Sequence, residues 1–337
     1  MARLVLGLNP SCSVGEGTSS LKCYAKAPAK VILFGEHWVV HGGRAIASAI
    51  GIYSRVIAEP LHEGIVVESR NLGVVEDISK GCRIFCNLKK AFEYIAGGER
   101  VLWPASIVID SKVPVGAGLG SSAAVAVSAS AAYACVGGLS VSPDFISRAA
   151  YESEKVVHGT PSGVDNTVAA FGGFILYRRG DGFRPIHAGR LDDVVILVID
   201  TGVSRSTASA VEFFAGRLRR LGSIGEEMLE LAENIIDEAL KAISSGDAVR
   251  LGELMDVAHG LLNAMGVSHV SLEKAVHVAR ANGALGAKLT GAGMGGSAIA
   301  LVESSRAEDV ASSLQELGFR VYNGALGAAG LSVACDA

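Results

Sequence analysis

The feature that most constrains the fold is a glycine-rich stretch at residues 114–124, PVGAGLGSSAA. The β-branched run before it, residues 105–110, predicts a strand, and the small residues of 122–134 after it predict a helix. Glycines at positions 116, 118 and 120 permit backbone conformations that other residues resist, and they leave the N–H groups uncovered. Because free N–H groups and the helix dipole attract anions at a helix start, this order predicts a phosphate-binding loop.

Two common phosphate loops do not fit this stretch. A P-loop requires Gly-Lys-Ser or Gly-Lys-Thr, and no lysine of the chain follows a glycine. A dinucleotide fingerprint requires Gly-x-Gly-x-x-Gly and an acidic residue about twenty positions later. Here the third glycine comes one residue early, and residues 135–143 read as a loop without a strand-end acid. These differences argue against a dehydrogenase and leave a third kind of phosphate loop.

Composition excludes several classes of protein. With 337 residues, 50% hydrophobic content and a net charge of −4, the chain predicts a well-cored soluble protein long enough for two domains. Basic residues are dispersed and aromatic residues make up 6%, so we expect no nucleic-acid partner. Apolar runs are broken well short of about twenty residues, so we expect no membrane span. Residues 1–21 lack the order of a signal peptide, and we interpret them as a flexible extension of a cytoplasmic protein.

Six cysteines, at positions 12, 23, 82, 86, 135 and 335, form no CxxC pair and have no histidine at zinc spacing. The sequence therefore favours buried free thiols over a metal site.

The first ordered segment is predicted to begin at residue 22. In it Lys26 and Lys30 flank a proline, and an apolar strand then runs directly into Gly35-Glu36-His37. Either these charged residues are solvated at an ordinary turn, or they converge with the nearby glycine turn at residues 42–43. The predicted helix at 143–158, capped by Ser142, places Glu154 on the apolar stripe of Ile146, Ala150 and Val157. A carboxylate there requires a buried ion-pair partner, a metal or a ligand.

Three further positions carry alternatives. Asp165 follows a proline-glycine turn and is either a helix cap or a site residue. Arg205 and Thr207 lie at a loop-to-helix junction suited to an anionic substrate, although Ser206 or Thr207 also fits an ordinary cap. A second glycine turn, residues 290–296, lies between two predicted strands and fits a tight hairpin. Another helix, at 272–282, is predicted with Ser271 as its cap.

Three segments of the sequence together resemble a known family. The opening APAKVILFGEH of residues 27–37, the loop at 114–124 and KLTGAGMGG of residues 288–296 resemble the three ordered motifs of the GHMP kinases, the galactokinase, homoserine, mevalonate and phosphomevalonate kinase superfamily. Within it, Gly-Glu-His-x-Val-Val-x-Gly and His-Gly-x-Pro-Ser-Gly-Val-Asp-Asn are most similar to the mevalonate kinases. The similarity spans nearly everything from about residue 22 to the end.

The resemblance implies an α+β fold of two α/β-sandwich domains. An N-terminal domain similar to ribosomal protein S5 domain 2, residues 22–188, would meet a ferredoxin-like C-terminal domain, residues 189–337, with ATP and mevalonate between them. The implied reaction is phosphorylation of the C5 hydroxyl of mevalonate in isoprenoid biosynthesis, with Mg²⁺ as cofactor. We also predict a homodimer.

The resemblance assigns roles by position in this sequence. Asp165 matches the catalytic aspartate and Lys30 its lysine partner, while Ser122 and Glu154 match the magnesium ligands. The remaining matches are mevalonate contacts at Glu36, His37 and Thr207, ATP-phosphate contacts at Pro114, Gly116, Ala117, Gly118, Leu119, Gly120, Ser121 and Ser122, and support for that loop at Gly291, Gly293, Gly295 and Gly296. Two rival interpretations are another kinase of the superfamily, such as a phosphomevalonate kinase, and a non-catalytic ligand sensor on the same fold.

Overall fold

The computed structural model describes residues 22–98, 102–159, 161–204 and 206–336. The predicted extension at 1–21, Cys12 and Arg205 lie outside the described residues. The described chain has an α+β architecture in which a larger sheet and a smaller sheet each carry helices.

The larger sheet is organised around one long strand, β2, which pairs with β1, β5 and β6. Numbered along the chain, its strands are β1 (Lys22–Phe34), β2 (Arg44–Pro60), β3 (Ile65–Ser69), β4 (Val74–Asp77), β5 (Ala105–Ser111), β6 (Phe174–Arg178), β7 (Gly182–Ile186) and the last strand of the chain, β12 (Ser332–Asp336). The strand pairs are antiparallel except that of β3 with β5. The sequence division at residue 188 assigns β12 to the second unit, but β12 pairs with β1 because the chain returns to that strand's open edge.

Within the described ranges, four α-helices accompany the larger sheet: α1 (Cys86–Ile95), α2 (Ser121–Val136), α3 (Pro143–His158) and α4 (Val164–Phe171). The helix α2, which follows the glycine loop, is built almost wholly of small residues and is buried along most of its length. Small side chains let it lie close to the sheet, where the hydroxyls of Ser128 and Ser54 lie 3.1 Å apart. The glycine loop is thereby attached to the interior of the protein.

The smaller sheet has the order β11-β8-β10-β9 and is antiparallel throughout. Its strands are β8 (Val194–Asp200), β9 (Gly286–Thr290), β10 (Ser297–Glu303) and β11 (Arg320–Ala325). Its helices are α5 (Thr207–Leu221), α6 (Ser223–Ser245), α7 (Ala248–Ala264), α8 (Val270–Ala281) and α9 (Ala307–Gln315).

The predicted helix starts were right for α3 and wrong for α8. Ser142 caps α3 by accepting a hydrogen bond from the N–H of Phe145. In α8 the cap is His269, whose Nδ1 accepts from the N–H of Ser271, and Ser271 itself lies inside the helix. A ring nitrogen therefore accepts the capping hydrogen bond that the sequence predicted for the Ser271 hydroxyl.

The cysteine prediction was wrong for one pair, because Cys82 and Cys86 form a disulfide with their Cα atoms 5.1 Å apart. Cys86 begins α1, and the loop before the helix returns Cys82 to within bonding range.

One apolar core extends from the larger to the smaller sheet. Leu33 and Phe34 at the end of β1 belong to the same buried cluster as Val198 of β8 and Ile299 of β10. The end of β1 is therefore fixed against the smaller sheet. Within the described part of the chain, no helix combines the length and the apolar character needed to cross a membrane.

Candidate active site

The glycine loop ends where α2 begins. Gly120 is the residue before the helix and has a left-handed backbone with φ 69°. The backbone N–H of Lys30 in β1 donates to the Leu119 carbonyl at 2.9 Å, and the Ser121 hydroxyl donates to the Val113 carbonyl at 3.2 Å. Ala117 and Leu119 are buried. The loop is thus anchored by its apolar residues, and its last glycine leads directly into a helix whose first N–H groups have no partner within the helix itself.

Lys30 and Asp165 form an ion pair beside this helix start. Lys30 Nζ lies 3.1 Å from Asp165 Oδ1, with side chains 8% and 34% exposed. A Cβ on Gly120 would lie 3.1 Å from Lys30 Cγ and 3.5 Å from Asp165 Oδ2, so the loop passes directly over the pair. The N-cap of α4 is Gly163 and Asp165 lies in the first turn, so the interpretation of Asp165 as a helix cap is wrong.

Glu154 is buried near the end of α3, at 3% exposure. Val157, predicted on the same stripe, is 49% exposed, because the last turn of α3 extends beyond the core. Burial raises the pKa of the Glu154 carboxyl; a hydrogen bond with Ser122 opposes the shift, and the charge of Asp165 adds to it. Among the described residues, Glu154 Oε1 has no hydrogen-bond partner.

These features fit a magnesium ion. Mg²⁺ prefers hard oxygen ligands, and a carboxylate with one unpartnered buried oxygen beside a serine hydroxyl offers two of them next to the glycine loop. A cation there would also offset the burial cost of the Glu154 charge.

Glu36 lies where the larger sheet meets the smaller one. Its Oε1 pairs with Lys288 Nζ of β9, and both side chains are buried. Lys288 also donates to the Leu289 carbonyl at 2.7 Å. Burial raises the pKa of Glu36 and lowers that of Lys288, while each partner's charge opposes the other's shift. The interpretation of Glu36 as a solvated turn residue is therefore wrong.

Lys288 is a site residue that the sequence motifs did not predict, although its place in the chain carries one signal. The lysine stands in the short strand GAKLT, all of whose residues are buried. A lysine in a fully buried strand requires a carboxylate or a ligand.

His37 is held by both parts of the molecule. Its Nε2–H donates to the Ala292 carbonyl at 2.8 Å, and its ring stacks on Phe214 of α5 with the ring centres 4.6 Å apart. The backbone of His37 is in the left-handed region, at φ 62°. Trp38 meets the same Phe214 ring edge-on. A buried imidazole is therefore presented in a fixed orientation at the junction of the sheets.

The second glycine turn is a β9–β10 hairpin, as one of the two interpretations proposed, and it also contacts the first loop. The Ser297 hydroxyl donates to the Ala117 carbonyl at 2.9 Å, and the Thr290 hydroxyl donates to the Ile32 carbonyl at 2.9 Å. The predicted support residues Gly291, Gly293, Gly295 and Gly296 have φ angles of 76°, 70°, 123° and 74°. A hairpin of the smaller sheet thus touches the glycine loop of the larger one.

Thr207 is the first residue of α5 and is exposed. The capping residue is Ser206, which accepts from the N–H of Ser209, so of the two capping candidates Ser206 is the cap. Of the predicted site residues, the structure brings Lys30, Glu154 and Asp165 together around the start of α2, and it places Glu36 and His37 at the adjoining junction.

Comparison with known proteins agrees with this architecture. The model of the GHMP kinase N-terminal domain matches residues 84–173, and that of the GHMP kinase C-terminal domain matches residues 239–319. A mevalonate kinase of Aeropyrum pernix is 40% identical over 310 residues, which are 90% of this chain and 95% of that protein.

Solved structures give the same result. The mevalonate kinase of Methanococcus jannaschii superposes with a TM-score of 0.80 at 26% identity and covers 90% of this chain and 98% of its own. The L. major mevalonate kinase in complex with R-mevalonate has a TM-score of 0.77 at 30% identity and covers 93% of this chain and 98% of its own. The chain therefore belongs to the GHMP kinases and, within that superfamily, to the mevalonate kinase family.

Proposed function

We propose that this chain is an ATP-dependent kinase that transfers a phosphoryl group to the C5 hydroxyl of (R)-mevalonate, giving 5-phosphomevalonate for isoprenoid biosynthesis. The observation that carries the proposal is the Lys30–Asp165 pair lying under Gly120, the last residue of the phosphate loop. In the proposed reaction, this carboxylate and this ammonium would lie beside the point where the phosphate meets the hydroxyl. Membership of the mevalonate kinase family supports the choice of substrate.

Phosphoryl transfer requires positioning and charge neutralisation more than covalent chemistry. The backbone of residues 114–122 would hold the ATP phosphates at the start of α2. Asp165 would orient the hydroxyl and accept its proton. The ammonium of Lys30, 3.1 Å from Asp165 Oδ1, would stabilise the negative charge that develops on the hydroxyl oxygen.

Ser122 and Glu154 would hold the magnesium ion. When bound, Mg²⁺ neutralises charge on the β- and γ-phosphates. The unpartnered Oε1 of Glu154 supports this assignment.

On the substrate side, we assign mevalonate contacts to Glu36, His37, Arg205 and Thr207. Glu36 and His37 are supported by their burial at the junction of the two sheets. Phe214, which stacks on His37, belongs to the helix that starts at Thr207. The Ser297–Ala117 hydrogen bond supports a role for the glycine hairpin in holding the phosphate loop.

The test is ADP release by the purified chain with Mg-ATP, comparing mevalonate with phosphomevalonate, galactose and homoserine. We expect turnover with mevalonate and background rates with the other three. Turnover with another member of the panel would overturn the substrate assignment, and no turnover with any would favour a ligand sensor. We further propose a cytoplasmic homodimer, and light scattering coupled to size exclusion tests the dimer.

A further inference from the structure

A cluster of three cysteines lies away from the glycine loop. Cys23 of β1, Cys135 in the last turn of α2 and Cys335 of β12 bring their sulfur atoms within 4.8 Å of one another. Cys23 and Cys335 are directly opposite partners in the β1–β12 pair. Since Cys135 and Ser121 stand at opposite ends of the 16-residue helix α2, a rise of 1.5 Å per residue separates the cluster from the loop by about 21 Å.

The geometry suits a single metal ion. Zinc–thiolate bonds of about 2.3 Å place two sulfurs of a tetrahedral site about 3.8 Å apart. The three sulfurs, within 4.8 Å of one another, therefore need to approach by about 1 Å or less to share one ion. Cys23 and Cys135 are buried and Cys335 is half-buried, so a fourth ligand position on the Cys335 side is within reach of water.

The electrostatics also require a cation if the thiols ionise. Cys135 lies at the C-terminal end of α2, where the helix dipole disfavours negative charge. A buried thiolate without a counter-charge is costly in the same way as any buried ion. A divalent cation reverses this balance, because each thiol gives up its proton to solvent as its sulfur binds the metal.

We propose that Cys23, Cys135 and Cys335 form a binding site for one thiophilic divalent cation of the Zn²⁺ class. The ion would join β1, α2 and β12. It would stabilise the position of β12, a five-residue strand at the edge of the larger sheet and at the end of the described residues. Just before that strand, the N–H of Leu331 donates to the Ala170 carbonyl in α4, the helix that carries Asp165. The ion would thus hold in place the segment before β12, which is hydrogen-bonded to α4.

The experiment measures metal binding directly. The full chain, purified with chelator and kept in reducing buffer, is titrated with Zn²⁺ and with Cd²⁺. Native mass spectrometry counts the ions bound, and cadmium–thiolate ultraviolet absorption reports the ligands. We expect one ion per chain and a metal-dependent rise in Tm. Each of Cys23→Ser, Cys135→Ser and Cys335→Ser should lose the ion and the rise in Tm, whereas the double variant Cys82→Ser, Cys86→Ser should keep both.

Three outcomes would overturn the proposal. The first is that no ion binds to the reduced wild-type chain, a result that does not depend on any variant folding. The second is that Cys335→Ser binds the ion as tightly as wild type does. The third is a chain two hydrogen atoms lighter in mass, with a reducible link between the Cys23 and Cys335 peptides, which would assign the cluster to a disulfide.

Discussion

Asp165 is the side chain on which the proposed chemistry depends most directly. In Asp165→Asn the shape is kept, but the group that accepts the proton is lost. We expect turnover to fall by about 10²–10⁴-fold while ATP affinity stays within a few-fold of wild type, since the phosphate loop is untouched. Steady-state kinetics and ATP titration measure the two quantities. Asp144→Asn, at an exposed position paired with Arg148, is the matched control. A large loss of ATP affinity with turnover retained would refute the assignment.

Lys288 and Glu36 form a buried pair in which each charge depends on the other. Lys288→Met leaves a buried carboxylate without its cation, so we expect a loss of about 3–5 kcal/mol in the free energy of unfolding. Denaturant unfolding measures it. The double variant Lys288→Met, Glu36→Gln removes both charges and should recover part of the loss, while the exposed Lys274→Met should change little. A single variant as stable as wild type would contradict the structural role of the pair.

At the scale of the element, the β9–β10 hairpin includes a close backbone approach at Gly293. A Cβ on Gly293 would lie 2.0 Å from the Val267 carbonyl oxygen, at φ +70°. The neighbouring Met294 has φ 56°, so a positive φ alone does not require glycine in this turn. Gly318 has φ +85°, and a Cβ added there would have no atom within 4 Å. It is therefore the control for the backbone strain alone, without a steric contact.

We expect Gly293→Ala to destabilise the protein by clearly more than the roughly 1–2 kcal/mol attributable to φ alone, and Gly318→Ala by about that amount. Because the hairpin touches the phosphate loop, Gly293→Ala should also weaken ATP binding. Thermal unfolding and ATP titration measure the two effects. Equal destabilisation by the two variants would show that the contact with Val267 is unimportant.

The buried imidazole of His259 connects three elements, α7, α8 and β9. His259 Nδ1 accepts from the N–H of Leu289 at 3.2 Å. Its Nε2 lies 3.1 Å from Glu273 Oε1, although not in hydrogen-bonding geometry. Burial lowers the pKa of His259, and the charge of Glu273 opposes the shift.

The sign of the pH effect follows from proton linkage. The unfolded chain protonates this histidine near pH 6.5, while the folded chain does so only at lower pH. The contribution of neutral His259 to the free energy of unfolding is therefore fully present above about pH 6.5. It is lost as the pH falls from there toward the pKa of His259 in the folded protein. We therefore expect wild type to lose more unfolding free energy between pH 7 and 5 than His259→Asn, which keeps an acceptor for Leu289. Parallel curves for the two proteins would rule out this role.

At the scale of the whole molecule, Arg44 of β2 connects the larger sheet to α6. Its side chain donates to Glu233 at 2.7 Å and to Asp237 at 2.8 Å, and its backbone N–H also donates to Glu233. The Arg44 and Glu233 side chains are 19% and 23% exposed, so the pair is partly shielded from water.

We expect Arg44→Met to cost about 1.5–3 kcal/mol and to increase amide hydrogen exchange in α6. Arg250→Met removes an exposed arginine that pairs with Glu238 and Glu253, and it should cost under about 1 kcal/mol. Denaturant unfolding and hydrogen exchange test both variants. If Arg44→Met leaves exchange in α6 unchanged, the two parts of the molecule are held by other contacts.

Much of this architecture was predictable because local patterns agreed with the tertiary fold. The strand, glycine loop and helix were readable at residues 105–134, and α3 starts and ends where Ser142 and Gly159 indicate. The cap of α8 was not, because a histidine ring nitrogen replaced the expected hydroxyl. Lys288 was missed because its partner Glu36 is 252 residues away in the chain.

The sequence by itself predicted the strand, glycine loop and helix of residues 105–134 and the family, because each depends on short motifs whose residues act on their own backbone. The tertiary structure alone decided the contacts that no motif of the family names. Lys288 and Glu36 stand 252 positions apart in the sequence yet form a buried ion pair, and Cys23 lies opposite Cys335. Strand pairing and core packing create these contacts, and spacing along the chain carries no information about them.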